Sequence, residues 1–136
     1  MNASGTSGVS PIPEHLRTVT PRLVVRDGAV IHAEIRIGDS VVMITEDTGE
    51  GPARSPEHLG GMVSCVMALY WENVDAAWDR AVGAGAEVIY PLEDQFYGER
   101  GGRLLNPFGQ QWMMSQHTED VSAEEMARRA TALFGE

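Results

Sequence analysis

The order of apolar and polar residues predicts three strands in the first third of the chain. β-Branched residues cluster, or apolar positions alternate with polar ones, in Thr18–Arg26, Val30–Ile37 and Val41–Thr45. Residues 1–17 are small and polar, which predicts a flexible tail ahead of a single domain over residues 18–136. Glycine, proline and charged residues run through residues 48–62, which are therefore expected to form a loop.

Residues 63–117 predict a strand, a helix and three further strands. Val63–Trp71 is apolar almost throughout, as is typical of a strand covered on both faces. Asn73 is a favourable N-cap for the helix, which is expected to end at the glycines of residues 83–85. The later strands are expected at Glu87–Pro91, Gly102–Leu105 and Gln111–His117.

A last helix is predicted over residues 122–134, because Ser122 and Glu125 form a capping box.

An acidic and aromatic turn, Glu93–Arg100, is predicted after the strand at Glu87–Pro91. Two interpretations of this turn remain open. Its aromatic residues, Phe96 and Tyr97, can stack on a flat ligand while Asp94 or Glu93 holds a cationic group, or the aromatic residues only anchor the turn.

The segment Tyr90–Trp112 combines a strand, this turn, a Gly-Gly break and a strand opened by Asn106-Pro107-Phe108-Gly109. It resembles the last hairpin of the glyoxalase/bleomycin-resistance/extradiol-dioxygenase superfamily, the vicinal-oxygen-chelate fold, whose usual signature is Asp-Pro-x-Gly. The resemblance covers nearly the whole chain after about residue 18. It implies an α+β fold in which paired βαβββ-type modules form a half-barrel sheet around a pocket.

The first module, residues 18–47, is shorter than the second, residues 63–117. Only Gly28 and Ala29 lie between Asp27 and Val30, so a helix and one strand are missing. Two residues cannot make a parallel crossover, and the first two strands are therefore expected to pair as an antiparallel hairpin. The apolar outer face of this sheet then needs a cover. Of the two candidates, the C-terminal helix and a second copy of the chain, we favour a homodimer.

In metal-using members of the superfamily, histidine and glutamate ligands lie on inward-facing strands of both modules. The resemblance places Thr20, Val66 and Met113 at these positions. Threonine, valine and methionine are not ligands for the divalent ions concerned, so no metal and no cofactor are expected.

Strand alternation predicts which side chains line the pocket. If the residues at the metal positions point inward, so do their neighbours two residues away. The predicted ligand-binding residues are Arg22, Val66, Tyr70, Phe96, Tyr97, Gln111 and Met113. Candidate acid–base residues are Glu34 and His117, although the strand pattern favours a solvated polar face for His32 and Glu34. Cys65 lies in an apolar strand and is expected to be inert.

A net charge of −10 argues against nucleic-acid binding, which needs clustered basic residues. No segment is apolar enough to span a membrane, and the single cysteine fits a reducing compartment, so a cytoplasmic location is expected.

The predicted function is metal-independent binding of a small organic molecule, aromatic or cationic, such as a sequestered drug or natural product. This resembles the bleomycin-resistance branch of the superfamily. The alternative is an enzyme of the same superfamily, a lyase, isomerase, cyclase or dioxygenase. A third possibility is a dimerisation or scaffold module without a pocket.

Overall fold

The structure is a computed structural model that describes residues 8–135. It has seven strands and two helices, and it divides into a first unit ending at Ser55 and a second beginning at Pro56. The predicted α+β class is confirmed, as are the shortened first module and the extra C-terminal helix. No helix in the described part of the chain is long and apolar enough to cross a membrane.

The first unit contains a three-stranded sheet in the order β1-β3-β2. The strands are β1 (Arg22–Val25), β2 (His32–Ile37) and β3 (Ser40–Glu46). The predicted hairpin between the first two strands is wrong, because β1 pairs in parallel with β3, and β2 pairs antiparallel with β3 on its other side. The parallel pair is possible because residues 26–39, which include β2, serve as its crossover connection.

The link from β1 to β2 passes the end of β3, where a carboxylate holds it in place. Glu46, the last residue of β3, accepts hydrogen bonds from the backbone amides of Asp27 at 3.1 Å and Gly28 at 2.9 Å. Val25 of β1 and Val42 of β3 are only 5% and 3% exposed within the single chain. Their burial therefore requires no second copy, and the homodimer remains a prediction.

The second unit contains a four-stranded sheet in the order β4-β7-β6-β5, in which β4 and β7 run parallel. Its strands are β4 (Met67–Tyr70), β5 (Glu87–Gln95), β6 (Glu99–Leu105) and β7 (Gln111–His117). Helix α1 (Val74–Gly83) makes the crossover after β4, and helix α2 (Ala123–Phe134) follows β7. This is the complete module whose helix and edge strand the first unit lacks.

Helix α1 covers one face of this sheet and builds the core of the second unit. Val74 and Ala77 of the helix are buried against Leu104 of β6 and Met114 of β7. The Asn73 side chain caps the helix by accepting from the Ala76 amide at 3.1 Å, as the sequence predicts. Since side chains alternate along a strand, the neighbours of Leu104 and Met114 point to the opposite face.

The extents predicted for one strand and one turn of this unit were wrong. The strand expected over Val63–Trp71 is confined to β4, and Cys65, expected inside it, lies before the strand and is exposed. The turn expected over Glu93–Arg100 shrinks to residues 96–98, because β5 continues to Gln95 and β6 begins at Glu99. Both segments are bounded by nonlocal pairing: β4 extends only as far as its pairing with β7, and β5 as far as its pairing with β6.

Candidate functional site

A cavity of about 300 Å³ lies on the face of the second sheet opposite α1. Arg103 of β6 and Met113 of β7 are directly paired across the strands, and both alternate with residues that face the helix. The cavity is lined by Tyr90, Pro91, Glu93, Gln95, Tyr97, Gly101, Gly102, Arg103 and Met113. It therefore combines two phenol rings and a thioether with one basic and one acidic side chain.

Arg103 is the basic residue of the cavity, and its side chain has no hydrogen-bond partner among residues 8–135. The Nε atom is shielded from solvent and unpartnered. The guanidinium carbon lies 5.3 Å from the centroid of the Tyr90 ring, a cation–π contact with the paired residue on β5. A polar nitrogen that is shielded from solvent and has no hydrogen-bond partner is costly to the fold.

Tyr97 contributes the second phenol ring. Burial, reinforced by the nearby Glu99 carboxylate and opposed by Arg103, raises the pKa of Tyr97 above its usual value of 10.0. Its hydroxyl is therefore protonated at neutral pH and can donate a hydrogen bond. The Tyr97 ring also meets that of Phe96 edge to face, with centroids 5.3 Å apart.

The C-terminal helix anchors the turn that carries Tyr97. The Phe96 ring packs edge to face on Phe134 at 5.7 Å, and Arg129 donates to the Phe96 carbonyl at 3.1 Å. Arg129 is itself held by Glu119 at 2.7 Å and Glu125 at 2.9 Å. Phe96 thus anchors the turn, as one of the two interpretations expects, whereas Tyr97 lines the cavity. Stacking of Tyr97 on a ligand stays a prediction.

The two acidic residues proposed to hold a cation are placed differently. Glu93 lines the cavity. Asp94 lies 3.4 Å from Arg100, which also forms an ion pair with Asp75 at 2.9 Å. Asp94 is therefore engaged with a cation of the protein itself.

Tyr70 and His117 border a second, shallower depression together with Trp71, Glu72 and Gln116. The Tyr70 hydroxyl donates to Glu99 Oε1 at 2.9 Å, and this hydrogen bond is the main reason that the pKa of Tyr70 is raised above 10.0. His117 Nε2 lies 2.8 Å from Asp120 Oδ1. This depression brings together two predicted site residues, neither of which lines the cavity.

The predicted site residues of the first unit lie on its own sheet. Arg22 and Glu34 flank Met43 in register, and an Arg22 terminal nitrogen is 3.9 Å from the Met43 sulfur. The Glu34 carboxylate contacts two histidines. His15 Nε2 lies 2.9 Å from Oε2, and His32 Nε2 lies 3.5 Å from Oε1.

The remaining predicted residues are dispersed. Val66 precedes β4, and Gln111 begins β7, paired with Leu105. Of the predicted ligand-binding set, only Tyr97 and Met113 line the cavity. Sequence reasoning missed Tyr90 and Arg103 as lining residues. The sequence pattern that could have indicated Arg103 is the alternation of side chains, which places it on the same side of β6 as Gly101. This pattern identifies a cavity residue only once the pairing of Arg103 with Met113 is known.

The residues that the resemblance places at the family's metal-ligand positions do not suit a divalent ion. They are Thr20, Val66 and Met113, whose side chains are poor ligands for such ions. Within residues 8–135 there is no group of three or more His, Cys, Asp or Glu side chains that could hold a metal ion. No reaction step through a metal follows from these donors.

Comparison with solved structures identifies proteins of the same fold. A glyoxalase/bleomycin resistance protein/dioxygenase from Nocardioides superposes with a TM-score of 0.56 at 16% identity, covering 85% of this chain and 91% of that one. TioX from Micromonospora sp. ML1 gives a TM-score of 0.53 at 22% identity, covering 72% of this chain and 96% of that one. At these identities the similarity shows the fold alone.

Sequence comparison identifies the family. An uncharacterized protein of Mycobacterium bovis is 38% identical over 103 residues, which cover 74% of this chain and 67% of the relative. An uncharacterized protein of Mycobacterium tuberculosis is equally similar, and the chain spans only 60% of its length. The model of the glyoxalase/bleomycin resistance protein/dioxygenase superfamily matches residues 15–114. The chain belongs to this superfamily.

Proposed function

We propose that the protein binds a small organic molecule in the cavity of its second unit, without a metal ion. The observation that carries this proposal is the arrangement of two phenol rings and a thioether around a guanidinium group that has no hydrogen-bond partner within the described chain. A mostly apolar concavity with a few directed polar groups is the usual composition of a small-molecule site. A volume of about 300 Å³ is at the lower end for such sites.

The aromatic residues supply most of the binding energy in this proposal. Tyr90 is 58% exposed, so a ligand that covers its ring removes apolar surface from water. Met113 offers a polarizable surface that adapts to the shape of a ligand. Sequestration of a drug or natural product in the cytoplasm is the concrete form of the activity, and assembly as a homodimer belongs to the same proposal.

The test is a thermal-shift screen against aromatic compounds, followed by calorimetric titration of those that bind. A ligand that binds the native state must raise its melting temperature. Tyr90→Ala should weaken binding roughly two- to tenfold, the value of an aromatic contact. Val88→Ala is the matched control, because Val88 lies on the same strand, is 50% exposed and does not line the cavity. Equal effects of the two substitutions, or a screen without any binder, would refute the proposal.

The rival function is an enzyme, and the second depression supports it. Tyr70, hydrogen-bonded to Glu99, borders this depression together with His117. The test asks whether the compounds that bind are converted to products detectable by mass spectrometry. If they are, and Tyr70→Phe or His117→Gln abolishes this conversion without loss of affinity, the protein is an enzyme. Loss of affinity without any conversion favours the binding protein.

A further inference from the structure

The charge of Arg103 is unbalanced in a protein that is rich in acidic residues. The chain has 20 acidic and 10 basic side chains, and neighbouring arginines are paired with carboxylates, as Arg100 is with Asp75 and Arg129 with Glu119. Arg103 has neither an ion pair nor a side-chain hydrogen bond within residues 8–135. Arg103 is half-buried and its Nε atom is shielded from solvent, which is unfavourable for a cation without a counter-ion, and the Tyr90 ring compensates only part of the cost.

The geometry of the Arg103 guanidinium indicates which kind of ligand group would pair with it. Arg103 lines the cavity, and its Nε atom is shielded from solvent. We therefore expect the two terminal nitrogens to be the donors that a ligand in the cavity reaches. Two coplanar N–H donors match the two oxygens of a carboxylate, which they bind in a bidentate manner.

The other polar groups of the cavity limit the ligand to one negative charge. Tyr97 is a neutral donor at physiological pH, as burial raises its pKa. Glu93 lines the cavity but lies beyond ion-pair distance of Arg103, so it leaves the guanidinium free and would repel a second anionic group. The body of the ligand must fit between the phenol rings and Met113.

We infer that the cavity selects flat organic molecules that carry a single carboxylate, with Arg103 as the residue that determines this specificity. The inference rests on the proposed function and assigns its ligand class. It replaces the cationic ligand expected from the acidic turn, since Asp94 lies 3.4 Å from Arg100, and Arg103, which shares the cavity with Glu93, would repel a cation bound there.

The experiment compares matched probes that differ only in charge. A panel of one- and two-ring aromatic scaffolds, including 2-naphthoate, is titrated with each scaffold present as its carboxylate, primary amide and amine. The carboxylate should bind about ten- to a hundredfold more tightly than its amide, the range for hydrogen bonds to charged groups. In Arg103→Gln this preference should disappear, while amide affinity stays within about threefold of the wild-type value because the rings remain in place.

Arg80→Gln is the control for net charge. Arg80 lies in α1, on the helix-covered side of the sheet, and its removal changes the charge of the protein equally. It should leave the carboxylate preference intact. The wild-type comparison stands even if Arg103→Gln fails to fold.

The outcomes separate the two proposals. Tighter binding of amides or amines than of carboxylates would overturn the inference and leave the proposed function standing. A carboxylate preference that persists in Arg103→Gln would also overturn it. If no member of any scaffold binds, the proposed function falls and the inference falls with it.

Discussion

Replacement of Gly98 by alanine tests how tightly the turn between β5 and β6 packs on the segment after β7. Gly98 has a φ of 85°, a conformation in which a Cβ costs about 1–2 kcal/mol. An added Cβ would also run into the backbone carbonyl of Glu119 and lie 2.8 Å from Val121 Cγ2. This carbonyl cannot easily withdraw, because the Thr118 and Glu119 amides donate to the Gly98 carbonyl at 2.9 and 3.1 Å.

The strained backbone conformation and the steric overlap both destabilise Gly98→Ala, and a control variant separates the two effects. Overpacking costs typically about 1–3 kcal/mol, so the free energy of unfolding should fall by about 2–5 kcal/mol in total. Gly61, in the same unit, has a φ of 88° and nothing within 4 Å of an added Cβ, so Gly61→Ala should lose only about 1–2 kcal/mol. Urea unfolding followed by tryptophan fluorescence measures both variants. Equal losses would refute the packing of this turn against Glu119.

Two further predictions concern a surface carboxylate and the Asn-Pro-Phe-Gly turn. Hydrogen bonds from Arg128 and Arg129 lower the pKa of Glu125 to about 2, so its contribution to stability is present above about pH 4.5 and lost as the pH falls towards 2. The difference in urea midpoint between wild type and Glu125→Gln should shrink over that range, and a pH-independent difference would contradict this assignment. Asn106→Ala should lower the free energy of unfolding by about 1–3 kcal/mol, because its Oδ1 accepts from two backbone amides of the turn at 3.1 and 2.9 Å. Asn106→Asp keeps an acceptor at this place and should cost clearly less in the same assay.

The sequence by itself determined the features that depend on neighbouring residues. Asn73 and Ser122 cap their helices through amides three residues ahead, so the motif is complete within the local sequence. The lost helix and strand of the first module were also predictable, because the two residues between Asp27 and Val30 cannot hold them. The family resemblance in residues 90–112 has the same basis, since it is carried by consecutive positions.

Only the tertiary structure decided how the strands pair and which side chains meet in the cavity. The parallel pairing of β1 with β3 depends on residues about twenty positions apart, which local patterning does not specify. The same holds for Tyr90, Arg103 and Met113, which lie on three different strands. Two irregularities in the pairing of β5 with β6, on either side of Tyr90, shift the register that simple alternation assumes. Alternation therefore placed Met113 on the right face, whereas the guanidinium beside it emerged only from the cross-strand contacts of the folded sheet.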